Sequence, residues 1–315
     1  MIYVRNENGY IDLDNYEIIE KKTRGRKEKF WLKKDGKEYL FKTGSINYEN
    51  WAELIASEIG KQIGFDVAYY DLASFQGKVG VVSPNFLKPN ELIISGDVII
   101  STSSSIIEEN DLKLDVKSIH SVENVITAID LYTDSRDTQE ILKSLIELWC
   151  FDMLLLESDR NSTNWGLIKN KREDGSSEFR LTPIYDNSTI ALLNNNISNY
   201  MNYLKFDGMF SKIVDSSKTS LVFMNDDKED DFFGQFEKLC ESFPSEVGDI
   251  LQKFEQIDVK KVIQIIESRL NQDKRIDEDM VTVPYEVCIF VEKIVKFRLN
   301  DMKSVYSNHI KMSKN

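Results

Sequence analysis

Residues 149–168 read WCFDMLLLESDRNSTNWGLI, and residues 180–188 read RLTPIYDNS. An apolar run stops at Ser158-Asp159-Arg160-Asn161-Ser162-Thr163-Asn164 and resumes at Trp165-Gly166-Leu167-Ile168. A second apolar segment, Leu181 to Tyr185, delivers Asp186. Burying the apolar flanks leaves Asp159, Asn164 and Asp186 at a rim. Such a set of carboxylate and amide oxygens suits a magnesium ion, which is hard and takes oxygen ligands.

The spacing points to phosphoryl transfer. In kinase-type loops an Asp accepts the proton of the attacking hydroxyl, and an Asn five residues later holds a metal. A second metal-binding Asp follows after a hairpin. Asp159, Asn164 and Asp186 match those roles in that order. Taken alone, the Asp–Asn spacing also describes a loop carboxylate and an amide that caps a turn.

The flanking residues narrow the choice. DRNSTNWG followed by LTPIYDNS resembles the HipA-like kinases, whose loops read roughly D-R-H-x-x-N and whose metal Asp sits in P-x-Y-D. The resemblance extends upstream through GRKEKFWLKKDGKEYLFKTG and WAELIASEIGKQIGF and covers most of residues 20–190. Asn161 stands where the family has His, so the loop lacks a titratable partner for Asp159. The resemblance implies an α+β, two-lobed protein-kinase-like fold, strand-rich over residues 1–86 and mostly helical over 87–315. It also implies a protein serine/threonine kinase that uses ATP and Mg2+. Asp159, Asn164, Asp186 and Lys42 would form the catalytic set, with Asn164 and Asp186 as metal ligands. Kinases of this kind often act as toxins controlled by a partner protein. No residue of this sequence identifies one.

Upstream, Phe30-Trp31-Leu32 and Tyr39-Leu40-Phe41 flank Asp35-Gly36, a strong hairpin signal. Lys42 ends the second strand, where a lysine is ordinarily exposed. Eleven residues on, Glu53 lies in a helical pattern with Leu54, Ile55, Ile59 and Ile63. In kinases a strand lysine grips the α- and β-phosphates and a helix glutamate holds it. Glu58 competes for the glutamate role, and Glu53 is favoured because the resembling helix places its Glu just before L-x-A-S. Thr23, Arg24, Gly25, Arg26 and Lys27 read either as a solvated basic turn or as a phosphate-facing loop.

Val67–Tyr70 and Lys78–Ser83 read as strands joined through Gly77. The prolines of Pro84-Asn85-Phe86-Leu87-Lys88-Pro89 end that pattern. The resemblance places the hinge here, with backbone at Asn85, Phe86 and Leu87 on an adenine edge. ELIISGDVII (91–100) suggests a strand pair, and Ser101–Ser105 a flexible polar link. Helices are expected over 121–132, 138–156, 232–270 and 283–306, and a charged hairpin tip between Ile168 and Leu181. The polar stretch after Asp186 fits an activation-segment equivalent or a mobile loop.

Composition sets outer bounds. A chain of 315 residues, 41% hydrophobic, can build two lobes with a sizeable core. A net charge of -13 and a pI near 4.8 argue against non-specific binding to nucleic acid or an anionic membrane. Cys150, Cys240 and Cys288 are odd in number and widely spaced, so a reducing, cytoplasmic setting is expected. The first residues show no secretory signal. Ile141–Leu156 is too short and too charged to span a bilayer.

Two rivals to a protein kinase remain. Phosphoinositide-type lipid kinases also carry D-R-H-x-x-N, and a nucleotide-binding pseudokinase would serve as an interaction module. The stretch STIALLNNNISNYMNYLKFDGMFSK (188–212) after Asp186 carries only Lys205 and Lys212 and leads toward the acidic MNDDKEDD (224–231), which disfavours an anionic lipid acceptor.

Overall fold

The alternating pattern around Asp35-Gly36 predicts a hairpin, and the computed structural model of the chain builds one. It describes residues 4–6, 9–21, 28–43, 48–109, 121–172, 175–193, 200–223, 231–270 and 283–312. The chain divides into two compact units. One takes Met1–Phe86, Asn187–Asp207 and Gln256–Ile294, and the other takes Leu87–Asp186, Gly208–Glu255 and Val295–Asn315.

The first unit is strand-rich. It contains β1 (Ile11–Asp12), β2 (Glu17–Ile19), β3 (Lys29–Lys34), β4 (Lys37–Thr43), α1 (Glu49–Gln62), β5 (Asp71–Phe75) and β6 (Lys78–Pro84). The strands form one sheet in the order β1-β5-β6-β4-β3-β2. Asp35 and Gly36 take φ of +50° and +75°, the type I′ geometry whose twist matches that of the strands it joins. That turn sets Lys34 against Lys37 and Phe30 against Phe41. Ile11, Leu32, Tyr39, Phe41, Phe75 and Val82 make the core on one face of the sheet. Each fully buried Phe there contributes about 1.5–3 kcal/mol. Because side chains alternate along a strand, Lys42 points to the face opposite Phe41.

Strand β5 begins at Asp71, later than the expected Val67–Tyr70. A carboxylate ordinarily ends a strand pattern, but Asp71 is wholly buried with its oxygens satisfied. It accepts from Arg5 at 2.8 Å, the Tyr69 hydroxyl at 2.7 Å and the Leu72 amide at 2.9 Å. Helix α1 is buried continuously from Ala52 to Gly60. Later segments of this unit include α5 (Tyr200–Lys205), α9 (Val259–Leu270) and the start of α10 (Tyr285–Met312). The Asp258 amide donates to Gln62 Oε1 at 2.8 Å, tying α9 to the end of α1.

The second unit is mostly helical. A three-stranded sheet of β7 (Glu91–Ser95), β8 (Gly166–Lys171) and β9 (Ser177–Leu181) accompanies α2 (Gly96–Glu109), α3 (Val122–Tyr132) and α4 (Ser135–Leu155). Then come α6 (Asp207–Asp215), α7 (Phe232–Ser242), α8 (Pro244–Phe254) and the rest of α10.

Two expectations are corrected here. Only Glu91–Ser95 of the anticipated strand pair is a strand, and Ser101–Ser105 lies inside α2. Two of the hydroxyls that suggested a loop are satisfied within the fold: Ser101 donates to the Val98 carbonyl at 3.0 Å and Ser103 to the Ala128 carbonyl of α3 at 3.1 Å. The C-terminal segment stays helical through Met312. The β8–β9 hairpin forms as expected, although Asp174 at its tip lies outside the described residues.

Candidate active site

Helix α4 ends where Leu156 turns into the left-handed region, φ +55°, and its amide closes on the Asp152 carbonyl. Burial of the Leu156 side chain offsets that strain. Glu157 is fully buried, and its Oε1 accepts the Asp159 amide at 2.8 Å. The Asp159 carbonyl accepts the Asn161 amide at 2.8 Å and Asn164 Nδ2 at 2.6 Å, winding the loop into a tight turn. With Nδ2 committed, Oδ1 is the end of Asn164 suited to a cation. Asp159 itself is exposed.

Asn161 is fixed at both ends of its amide. Its Nδ2 donates to Asp159 Oδ1 at 2.9 Å, while its Oδ1 accepts the Thr163 amide at 2.9 Å and hydroxyl at 2.6 Å. An uncharged amide thus orients the carboxylate. The loop is propped from behind by α2, whose first amides, Gly96 and Asp97, donate to the Trp165 and Ser162 carbonyls at 3.0 and 2.9 Å. A Cβ at residue 96 would sit 2.4 Å from the Trp165 ring, so only glycine permits this approach.

Arg160 and Asp152 were not among the residues the sequence singled out. Arg160 is 2% exposed and grips Asp152 with two parallel hydrogen bonds of 3.0 Å. Its Nη1 donates to the Asn164 carbonyl at 3.0 Å and also to the Tyr185 carbonyl. Burial works against this charge, but the Asp152 carboxylate, with Glu157 and Asp186, outweighs it and holds the guanidinium above its usual value. The available signal was Asp152 itself, the one charge in the apolar stretch LWCFDMLLL (148–156) next to the loop. Tyr185 adds a second tie, its hydroxyl donating to the Thr163 carbonyl at 3.1 Å. Asp186 is half-buried and takes φ +58°, uncommon for a residue other than glycine.

In the strand-rich unit, Lys42 Nζ lies 2.7 Å from Glu53 Oε1, and both side chains are under 10% exposed (7% and 3%). The other Glu53 oxygen accepts the amide of Asn187, the residue after Asp186, at 2.9 Å. Glu58 is engaged elsewhere, with Lys61 at 2.7 Å and Arg269 at 2.8 Å. The structure therefore pairs Lys42 with Glu53 and leaves Glu58 to a separate cluster. Of the anticipated hinge, the Asn85 amide already donates to the Glu38 carbonyl at 2.9 Å, and its Nδ2 to Glu38 Oε2 at 2.8 Å. Phe86 ends one unit and Leu87 opens the other. Thr23, Arg24, Gly25, Arg26 and Lys27 lie outside the described residues.

The donor set around the loop fits a magnesium ion. One carboxylate (Asp186) and one amide oxygen (Asn164) leave positions for water and phosphate oxygens, as this ion prefers.

No family model and no curated protein matches this sequence. Solved structures do. The chain is similar to the Helicobacter pylori proinflammatory kinase CtkA, with a TM-score of 0.73 at 19% identity, covering 96% of this chain and 99% of that one. It is also similar to HipA of a Shewanella oneidensis toxin–antitoxin system, solved with HipB and operator DNA. There the TM-score is 0.50 at 15% identity, covering 90% of this chain and 64% of that one. At such identities the likeness speaks for the fold. The strand-rich sheet followed by a mostly helical unit is the kinase-like fold that these HipA-like structures share.

Proposed function

We propose that this chain is an ATP-dependent kinase that transfers the γ-phosphoryl group to a Ser or Thr hydroxyl of a protein. The observation that carries this reading is Glu53, which holds Lys42 with one oxygen and the amide next to Asp186 with the other. A buried ion pair is a poor way to gain stability, since apolar residues of similar volume do as well. Its use is to keep a lysine charged and aimed.

Lys42 would contact the α- and β-phosphates, with Glu53 fixing its direction. Asn164 and Asp186 would hold Mg2+, whose charge offsets that of the phosphates. The left-handed backbone at Asp186 fits a residue held for function. Asp159 would orient the acceptor hydroxyl and take its proton as the oxygen bonds to the γ-phosphorus and ADP departs. The stretch from Thr23 to Lys27 would face the phosphates, and backbone at Phe86 and Leu87, with Asn85, would border the adenine. HipA is found with HipB, and a regulatory protein partner for this chain is part of the same reading.

The test offers labelled ATP and Mg2+ together with a cell-lysate protein mixture and, in parallel, phosphoinositide vesicles. Label is expected in protein bands and absent from lipid. Label in lipid alone would overturn the protein acceptor, and nucleotide binding without any transfer would make the chain a binding module.

A pH series adds a second check. Because Asn161 does not titrate, residue 161 contributes no inflection to the wild-type profile of kcat/KM. Asn161→His places an imidazole beside Asp159, and a new inflection is expected at about pH 6.5. Superimposable profiles would show that residue 161 does not act on the catalytic carboxylate.

A further inference from the structure

We infer that Arg160 is a positioning residue for the metal-binding pair Asn164 and Asp186, its guanidinium locked on Asp152 and holding the Asn164 and Tyr185 carbonyls in one grip. This rests on the kinase reading above and adds to it the means by which the two ligands are kept in register.

Arginine presents its donors in a rigid planar fork. Nε and Nη2 bond the two oxygens of Asp152, each at 3.0 Å, which fixes the plane and direction of the guanidinium. Asp152 in turn is 3% exposed on α4, where packing restricts its rotamers. The remaining nitrogen, Nη1, donates to both the Asn164 carbonyl and the Tyr185 carbonyl. One of these belongs to a proposed ligand and the other to the residue immediately before a proposed ligand. Two segments 21 or more residues apart thus share a single hydrogen-bonding atom. Any tilt of that atom displaces both segments.

Lysine at this position could keep the charge near Asp152 but has no planar fork with which to span the two carbonyls. Groups that orient metal ligands from outside the coordination sphere typically change metal affinity by about 10- to 100-fold when replaced. A residue that merely stabilises the unit would lower the melting temperature and leave metal affinity alone.

The experiment measures the melting temperature of the full chain with ADP alone and with ADP plus increasing MgCl2, for wild type, Arg160→Lys, Asp152→Asn and Asp186→Ala. For wild type, Mg2+ is expected to add a saturable increment to the ADP shift, and Asp186→Ala to lose it. In Arg160→Lys the shift with ADP alone should persist, while the Mg2+ concentration giving half the increment rises about tenfold or more. An unchanged half-saturating concentration in Arg160→Lys, with a normal wild-type increment, overturns the positioning role and leaves the kinase reading intact. A wild type with no Mg2+-dependent increment overturns both. Should Arg160→Lys fail to fold, Asp152→Asn carries the test, and an unchanged half-saturation there overturns the proposal.

Discussion

Asp159→Ala is expected to reduce turnover by about 10²- to 10⁴-fold, the range over which a positioned general base contributes, while nucleotide affinity stays close to that of wild type. The structure makes this substitution unusually clean. The loop around residue 159 is wound by main-chain groups: its amide donates to Glu157, and its carbonyl accepts from Asn161 and Asn164. Alanine keeps all of them. Among the described residues the one side-chain bond lost is from Asn161 Nδ2 to Oδ1, on an exposed residue, so stability should shift by no more than about 0.5 kcal/mol. Single-turnover rates together with nucleotide titration check the separation. A parallel loss of nucleotide affinity would instead place Asp159 on the metal.

Lys42→Met should abolish phosphotransfer and also destabilise the chain by about 3–5 kcal/mol, because it strands the buried Glu53 carboxylate without its cation. The Asn187 amide, still 2.9 Å from the other oxygen, cannot neutralise that charge. Adding Glu53→Gln to Lys42→Met is expected to recover much of the stability and none of the activity. Denaturant titration and a transfer assay on the three proteins separate these effects. If Lys42→Met alone retains transfer, the lysine has no part in the reaction. Glu58→Gln provides the contrast: it disturbs the contacts to Lys61 and Arg269, so it should lower stability and leave transfer in place.

The parts of this chain that were legible in sequence are those whose cause is local. Asp35-Gly36 can accept positive φ at both turn positions, so it announces its hairpin without help from the rest of the molecule. The long apolar period of α4 and its abrupt end at Ser158 locate the loop, because an apolar helix must bury itself and DRNSTN must not. The partner of the strand lysine is not local: Glu53 and Glu58 lie on one helix and differ little in local sequence. Resemblance favours Glu53, and in the structure Lys42 Nζ lies 2.7 Å from Glu53 Oε1.

Where distant partners outvote local preference, pattern gave the wrong element or none. Asp71 enters a strand because Arg5, Tyr69 and the Leu72 amide satisfy its buried oxygens. Ser101 and Ser103 sit in α2 with their hydroxyls on the carbonyls of Val98 and Ala128. Arg160 shows the same division within the site. From residues 149–188 alone the sequence singled out Asp159, Asn164 and Asp186 as the candidates for the chemistry, since they are marked by type, spacing and apolar flanks. Only the tertiary structure decided what holds them, because Asp152, Asn164 and Tyr185 meet one guanidinium across turns of chain that no local pattern joins. Side-chain type is a property of the residue, whereas the satisfaction of a buried charge belongs to everything packed around it.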